Sequence, residues 1–238
     1  MICFLTSRTD LSERRALNPA NHFVDELRRC VPEPCRALFI CSDPDGRDKT
    51  DYYAADVKAC FEDSGFVFRR YSVLDGRNAS QAAQLVRESN FLILAGGHVP
   101  TQNRFFRKIG LRDLLRAHTG VLVGISAGSM NSAETVYAQP ELDGETSDPA
   151  YQRFLPGLGL TKTMLLPHYQ ALKDATLDGL RVMEDITYPD SMGRTIYAIP
   201  DGSYLLIDHG REELRGEAYA IRDGVRSRIS DPCGAVTL

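Results

Sequence analysis

The sequence predicts an α/β protein, in which a mostly parallel sheet is flanked by helices on both faces and carries a β-rich C-terminal extension. Short apolar, β-branched runs alternate with longer stretches in which apolar residues recur every three or four positions. This alternation is typical of parallel sheets, because the connection between two parallel strands usually contains a helix. In the last third of the chain, strand patterns predominate, and they indicate the extension.

The first part of the chain supplies five strands and four helices. Apolar residues at helical spacing, such as Phe23, Leu27 and Cys30, mark one face of a helix. Gly110 weakens the last helix, since glycine is unfavourable in a helix interior. The predicted strands cover residues 2–5, 37–41, 67–73, 91–94 and 121–125, and the predicted helices cover residues 21–31, 51–64, 80–88 and 103–118.

An irregular segment at residues 138–159 follows, rich in proline, glycine and acidic residues. Loops of this length inside a domain are usually functional or mobile. No linker or repeat interrupts the chain, so one domain is expected over residues 1–238, with a hairpin at about 216–230 as an addition. The later predicted elements are strands at 164–166, 195–199 and 203–207, a helix near 177–186, and the hairpin strands 217–221 and 225–229 around an Asp-Gly turn.

Composition and charge exclude several classes of protein. The 238 residues carry a formal net charge of −4, and an isoelectric point near 5.8 provides no basic surface for nucleic acid. No apolar run reaches the ~20 residues of a membrane span. The six cysteines form no CxxC pair and the five histidines are scattered. We therefore expect reduced thiols in a cytoplasmic protein, with neither a metal site nor a cofactor.

The first motif that carries chemistry is Gly124-Ile125-Ser126-Ala127-Gly128, directly after an apolar run. In a nucleophile elbow, a sharp turn from strand to helix presents a serine at the carboxyl end of a strand. The N–H of Ala127, at the start of the helix, would then face a developing oxyanion. An ordinary glycine-containing turn produces the same sequence pattern, so the motif alone leaves both interpretations open.

A second glycine-rich turn follows the predicted strand at 91–94, where the chain reads Ala95-Gly96-Gly97-His98. Ligands of parallel α/β sheets bind at the carboxyl ends of strands. The turn is therefore expected near Ser126, with Gly96 and Gly97 as candidate donors of a second oxyanion hydrogen bond and His98 as a candidate substrate contact. A tight turn that needs positive φ is the structural alternative.

A catalytic serine requires a base, and the base requires an orienting acid. His168 and Asp201 both follow predicted strands, as Ser126 does, whereas His209 lies beyond the next strand. Two triads are open, Ser126–His168–Asp201 and Ser126–Asp201–His209. The second is less favourable, because a strand of about seven residues at ~3.3 Å each would hold Asp201 and His209 about 20 Å apart.

The motifs together resemble the peptidase E (aspartyl dipeptidase) family of serine peptidases, which includes the cyanophycinases. That family has a glycine-rich loop after a strand, a G-x-S-A-G elbow, a Pro-His segment and a Pro-acid-Gly turn. Here the four motifs occur in that order at residues 95–98, 124–128, 166–168 and 199–202, within about residues 36–210.

The resemblance implies the fold of class I glutamine amidotransferases, a flavodoxin-like arrangement, with Ser126 in place of their cysteine. It further implies that Ser126 is the nucleophile, His168 the general base and acid, and Asp201 the orienting carboxylate. By the same resemblance, the N–H groups of Gly97 and Ala127 form the oxyanion hole.

Two departures from the family pattern concern specificity. His98 stands where the family has a polar amide, and the helix after His168 lacks the arginine that binds an aspartyl side chain, with Lys173 supplying only a point charge. We therefore expect a peptidase for small peptides, monomeric or homodimeric, without strict aspartyl specificity. An esterase that uses the same serine and a non-catalytic module that binds a small molecule are the alternatives.

Overall fold

The structure, a computed structural model, describes residues 1–11 and 14–238, without the side chain of Arg14. The strands are β1 (Ile2–Thr6), β2 (Asp10–Leu11), β3 (Arg14–Leu17), β4 (Cys35–Ile40), β5 (Phe68–Leu74), β6 (Phe91–Leu94), β7 (Val121–Ile125), β8 (Thr135–Tyr137), β9 (Phe154–Pro156), β10 (Met164–Leu166), β11 (Thr176–Leu177), β12 (Leu180–Arg181), β13 (Thr195–Ala198), β14 (Tyr204–Asp208), β15 (Arg211–Arg215), β16 (Ala218–Arg222), β17 (Val225–Ser230) and β18 (Ala235–Thr237).

Within residues 1–11 and 14–238, eight α-helical segments lie between these strands, together with short 3₁₀ turns and one π-helical segment. The 3₁₀ turns are Ala20–His22 and Ala79–Gln81, and the π-helical segment is Val182–Thr187. The helices are α1 (Phe23–Cys30), α2 (Arg47–Asp63), α3 (Ala82–Glu88), α4 (Val99–Lys108), α5 (Leu111–Leu115), α6 (Ala127–Asn131), α7 (Tyr169–Leu172) and α8 (Tyr188–Asp190).

The central sheet has eight strands in the order β18-β15-β14-β1-β7-β6-β4-β5. The five strands from β1 to β5 in this order are parallel to one another, and β14, β15 and β18 extend the sheet from β1 in antiparallel pairing. The register pairs Thr6 with Ile125 and Leu94 with Gly124. The carboxyl ends of β1, β7 and β6 therefore lie side by side.

A second sheet of four strands has the order β10-β13-β16-β17. Its first two strands are parallel and pair Leu166 with Ala198, whereas the hairpin β16–β17 is added to β13 in antiparallel pairing. Because β10 and β13 are parallel neighbours, the segments that follow them leave the sheet at the same edge. Those two segments contain His168 and Asp201.

Buried apolar side chains cover the parallel strands on both faces of the central sheet. All four side chains of Phe91–Leu94 are 0% exposed, which requires cover on both faces, since successive side chains of a strand point to opposite faces. The cover includes buried apolar side chains from each of the helices α1 to α5, among them Leu27, Phe61, Val86, Phe105 and Leu111. Burial of this kind contributes roughly 25 cal/mol for each Å² of apolar surface removed from water.

The predicted fold class is confirmed, a mixed α/β fold with a mostly parallel central sheet and additional C-terminal strands. The predicted helix at 103–118 is two helices, because Gly110 has φ +65° between α4 and α5. The predicted helix near 177–186 is wrong in its first half. There Asp178 and Gly179 have φ values of 51° and 80° and form the turn between β11 and β12, and a two-residue hairpin turn requires such positive φ angles.

The irregular segment at 138–159 contains one short strand, β9, which pairs with β8. Among residues 1–11 and 14–238, no helix combines the length and the apolar character that a membrane crossing requires.

Candidate active site

Ser126 occupies the sharp turn between β7 and α6. Its backbone angles, φ 48° and ψ −109°, are unfavourable for a residue other than glycine, and such strain persists only where surrounding bonds fix the chain. The Ser126 N–H donates to the Thr6 carbonyl over 3.1 Å, and the Ser126 carbonyl accepts from the N–H groups of Ser129 and Met130. These bonds hold the serine side chain at the carboxyl end of the strand.

The two glycines of the motif are required by close packing rather than by their own φ angles. A Cβ atom at Gly128 would lie 2.4 Å from the Leu94 carbonyl oxygen, and one at Gly124 would lie 2.9 Å from the backbone nitrogen of Ser129. The helix α6 therefore lies directly against β6 and folds back over the end of β7. The strained backbone belongs to Ser126 itself, as in a nucleophile elbow.

The imidazole ring of His168 lies between the side chains of Ser126 and Asp201. Its Nε2 atom lies 2.9 Å from Ser126 Oγ, and its Nδ1 atom lies 2.7 Å from Asp201 Oδ1. The His168 backbone is in the left-handed region, with φ 58° and ψ 30°, where the chain passes from β10 into α7. Both distances are hydrogen-bond distances, so the three side chains form a continuous chain of hydrogen bonds.

Asp201 is the ionised member of this chain. Burial alone raises its pKa, but hydrogen bonds from His168 and Ser7 outweigh that effect and lower the pKa below the ordinary value of 3.8. A carboxylate at Nδ1 holds the imidazole in the tautomer that carries its proton on Nδ1. The lone pair of Nε2 is then directed at the hydroxyl of Ser126.

His209 takes no part in this arrangement, and the alternative triad that includes it is wrong. Its side chain is 91% exposed, and its Nδ1 atom lies 2.6 Å from Asp208 rather than near Asp201. Asp201 and His209 lie beyond opposite ends of β14, so that strand keeps them apart.

The glycine-rich loop after β6 lies next to Ser126. A Cβ atom at Gly96 would lie 3.6 Å from the Ser126 Cβ atom, and one at Gly97 would lie 2.3 Å from Ser42 Oγ. Gly97 also has φ +145°, so both its conformation and its packing favour glycine. Ala127 is the first residue of α6, where backbone N–H groups have no acceptor within the helix.

A buried network of side-chain amides makes hydrogen bonds to the backbone on either side of Gly96 and Gly97. The amide nitrogen of Gln102 donates to the Ala95 carbonyl over 2.7 Å. Asn131, at the end of α6, donates to Gln102 Oε1 and to the Val99 carbonyl, and Asn103 donates to Asn131. Because Gln102 and Asn131 are both 0% exposed, these bonds form without competition from water and fix the loop relative to α6.

A cleft of about 330 Å³ opens beside Ser126, at the carboxyl end of the central sheet. Ser7, Arg8 and Asp10 line one side of it, Tyr53 and Asp56 of α2 line another, and Gly97, Ser126 and His168 complete it. Arg8 is paired with Asp10, with 2.8 Å between Nη2 and Oδ2, and its side chain remains 38% exposed. The cleft thus presents both a guanidinium and carboxylates to a ligand.

Arg8, Asp10 and Ser7 were not among the candidates from the sequence. The sequence did contain a signal for them, because all three residues follow β1. This strand pairs in parallel with β7, so it ends at the same edge of the sheet as the turn that contains Ser126. Among the described residues, no group of three or more His, Cys, Asp or Glu side chains is placed to hold a metal ion.

His98 and Lys173, the candidate substrate contacts, lie outside the lining of the cleft. His98 Nδ1 is 2.9 Å from Thr101 Oγ1, and His98 Nε2 is 2.8 Å from Glu145 Oε1. The ring thereby connects the glycine-rich loop to the segment 138–159. Lys173 is half exposed at the end of α7 and lies 3.8 Å from Asp174. A substrate-binding role for either residue stays a prediction.

Ser126, His168 and Asp201 are arranged as in serine hydrolases, at strand ends of an α/β fold. The chain belongs to peptidase family S51, whose family model matches residues 3–215. It is therefore a serine peptidase, a hydrolase. No curated protein matches the chain.

Two solved structures share the fold. A peptidase from an acI-B1 Actinobacterium is similar with a TM-score of 0.65 and 13% identity, over 100% of this chain and 96% of the other. A putative peptidase E protein from Listeria monocytogenes EGD-e is similar with a TM-score of 0.58 and 16% identity, over 96% of this chain and 98% of the other.

Proposed function

We propose that the protein hydrolyses small peptides through an acyl-enzyme on Ser126. The observation that carries the proposal is the chain of hydrogen bonds from Ser126 Oγ through His168 to Asp201, at 2.9 and 2.7 Å. His168 Nε2 takes the proton of the Ser126 hydroxyl as Oγ attacks the scissile carbonyl carbon. The imidazolium that forms is stabilised by the carboxylate of Asp201, which does not itself take the proton.

The tetrahedral intermediate places a negative charge on the former carbonyl oxygen. The N–H groups of Gly97 and Ala127 are proposed to donate to this oxyanion, since Gly97 lines the cleft together with Ser126 and Ala127 is the first residue of the helix that follows Ser126. His168 then gives its proton to the leaving amine as the C–N bond breaks. Water attacks the acyl-enzyme by the reverse sequence of proton transfers, and all of them run through His168 without a metal or cofactor.

Short peptides with free termini suit the cleft in size and charge. Its volume of about 330 Å³ accommodates a few residues, and Arg8 beside Asp10 and Asp56 matches a substrate that carries both a carboxylate and an ammonium group. Strict aspartyl specificity is not expected, because α7 contains no arginine and Lys173 lies against Asp174. The segment 138–159, held by His98 and Glu145, is proposed to exclude longer chains.

A reducing compartment such as the cytoplasm suits six cysteines that are all free thiols. A monomer or a homodimer stays the expected state in solution.

A dipeptide library in which each member is offered with free and with blocked termini tests the proposal. Turnover of free dipeptides that is lost in Ser126→Ala is the expected result, with p-nitrophenyl esters as the comparison. Turnover of esters without any cleavage of peptides would instead identify an esterase, and no turnover of either class would favour a module that only binds.

A further inference from the structure

The side chain of Ser7 connects the backbone of His168 to the carboxylate of Asp201. Ser7 Oγ accepts a hydrogen bond from the His168 N–H over 2.8 Å and donates one to Asp201 Oδ1 over 2.6 Å. Ser7 is 0% exposed, so its own hydroxyl is shielded from water. The same hydroxyl therefore touches both the base and the acid of the proposed triad.

The two partners fix the direction of the Ser7 hydroxyl. A hydroxyl has one proton to donate, and an ionised carboxylate only accepts, so the proton of Ser7 must lie on the line to Asp201. An N–H group only donates, so a lone pair of Ser7 Oγ must face His168. Neither bond can be exchanged for the other, and rotation about the Cβ–Oγ bond is blocked.

Asp201 Oδ1 receives two donors, the hydroxyl of Ser7 and the Nδ1–H of His168. With both donors on one oxygen, rotation of the carboxylate would break both bonds at once. Hydrogen bonds to a charged acceptor are about twice as strong as those between neutral groups, so the orientation of Asp201 is held firmly. The position of the imidazole follows from that orientation.

The backbone of His168 also needs an external support. Its φ of 58° lies in the left-handed region, which is uncommon for residues other than glycine, and neighbouring hydrogen bonds help to hold such a conformation. The bond from the His168 N–H to Ser7 is one such contact, and the bond from the next N–H, that of Tyr169, to the Ile199 carbonyl is another.

Ser7 lies where the two sheets meet. The residue before it, Thr6, belongs to β1 of the central sheet, and its carbonyl accepts a hydrogen bond from the N–H of Ser126. His168 and Asp201 follow β10 and β13 of the second sheet. Thr6 and Ser7 therefore join the nucleophile, which one sheet carries, to the base and acid, which the other carries.

From these contacts we infer that Ser7 is a positioning residue of the Ser126–His168–Asp201 triad, whose hydroxyl sets the relative placement of base and acid. The inference rests on the proposed function, since it concerns the efficiency of that triad. Ser7, which directly follows the first strand, thereby contributes to the rate of acylation.

The test compares Ser7→Ala and Ser7→Thr with Ser132→Ala. Ser132 is a matched control, because it is also 0% exposed and its hydroxyl donates one buried bond, to the Gly128 carbonyl over 2.8 Å. Ser7→Ala is expected to lower kcat by about ten- to a hundredfold with KM unchanged, as the loss of a hydrogen bond to a charged group would. Ser7→Thr keeps the hydroxyl and is expected to recover most of that loss, and Ser132→Ala is expected to stay within about threefold of the wild type.

Two further readouts separate positioning from a general loss of stability. The pKa of Asp201, followed by ¹³C NMR of its carboxyl carbon, is expected to rise in Ser7→Ala and to be unchanged in Ser132→Ala, because the bond from Ser7 contributes to lowering it. Thermal unfolding of each variant shows whether the fold is retained. Full kcat in a folded Ser7→Ala, or an equal loss in Ser7→Thr, overturns the inference.

The rate at which a fluorophosphonate modifies Ser126 distinguishes failure of this inference from failure of the proposed function. A wild-type protein that is never modified contradicts the proposed function. A wild-type protein that is modified at Ser126, together with a folded Ser7→Ala that is modified equally fast, contradicts only the role of Ser7.

Discussion

Replacement of Gly128 by alanine is expected to displace the helix that follows the nucleophile. The new Cβ atom would lie 2.4 Å from the Leu94 carbonyl oxygen, 2.6 Å from Leu94 Cβ and 2.8 Å from the Leu94 carbonyl carbon, whereas ordinary contacts begin near 3.4 Å. Leu94 is 0% exposed, and β6 lies between β7 and β4 in the central sheet, so β6 cannot retreat. The start of α6 must therefore move by about 1 Å, the difference between the two distances.

This displacement has a cost in stability and a cost in rate. Overpacking of a core position costs about 1–3 kcal/mol, which corresponds to a decrease in Tm of roughly 2–12 °C for a chain of this size. A misplacement of ~1 Å in catalytic groups costs on the order of a hundredfold in rate. We expect Gly128→Ala to show both effects, measured by thermal unfolding and by kcat/KM for a dipeptide.

Gly144→Ala is the control, since Gly144 is an exposed residue of the segment 138–159, has φ +87° and has no atom within 4 Å of an added Cβ atom. It is expected to lower Tm slightly, through backbone strain alone, and to leave kcat/KM near the wild-type value. Wild-type Tm and activity in Gly128→Ala would show that α6 does not approach β6 so closely, and that steric packing is not the reason for glycine at position 128.

Three further predictions concern the charged groups of the site. Asp201→Asn is expected to lower kcat by about 10³–10⁴-fold with little change in KM, because no carboxylate then fixes the tautomer of His168. Steady-state kinetics measure the effect, and a loss of kcat below tenfold would contradict the role of Asp201. The pKa of Asp201 is lowered in the folded protein, so its ionised form stabilises the fold above the ordinary value of 3.8, and this contribution is lost as the pH falls through the lowered value. The free energies of unfolding of wild type and Asp201→Asn are thus expected to differ at pH 7 and to converge once the pH falls below the lowered pKa of Asp201, as measured by urea denaturation. A difference that stays constant with pH would contradict this contribution. Arg8→Gln is expected to raise KM about tenfold for dipeptides with a free carboxylate and to leave KM unchanged for the corresponding amides, and equal effects on both would exclude a contact to the carboxylate.

The sequence was informative where a function depends on a local pattern. The strands at 91–94 and 121–125 have the predicted bounds, and the turns that contain Gly97 and Ser126 follow them directly, because apolar runs that end in glycine define both the strand and its end. The parallel order of the strands then places those turns at one edge. His168 and Asp201 also follow strands that the sequence predicted, but those strands lie in the second sheet, so the order of the central sheet does not explain their position beside Ser126.

Other features depend on how distant parts of the chain dock. β10 and β13 belong to a separate sheet, and no periodicity in the sequence assigns a strand to one sheet or the other. Ser7 meets His168 and Asp201 across separations of 161 and 194 residues, so only the packing of the two sheets reveals it. The partner of His98 is Glu145, in a segment where the sequence showed only irregular composition.

The proposed function requires that Ser126 is a nucleophile activated by His168. Intact-mass analysis of the folded protein after treatment with a fluorophosphonate, followed by peptide mapping, measures this reactivity. One adduct per chain is expected, on Ser126, and it is expected to form much more slowly in His168→Ala and at the wild-type rate in His209→Ala. A protein that cleaves peptides while Ser126 stays unmodified, or one in which only His209→Ala prevents the adduct, would contradict the proposed function.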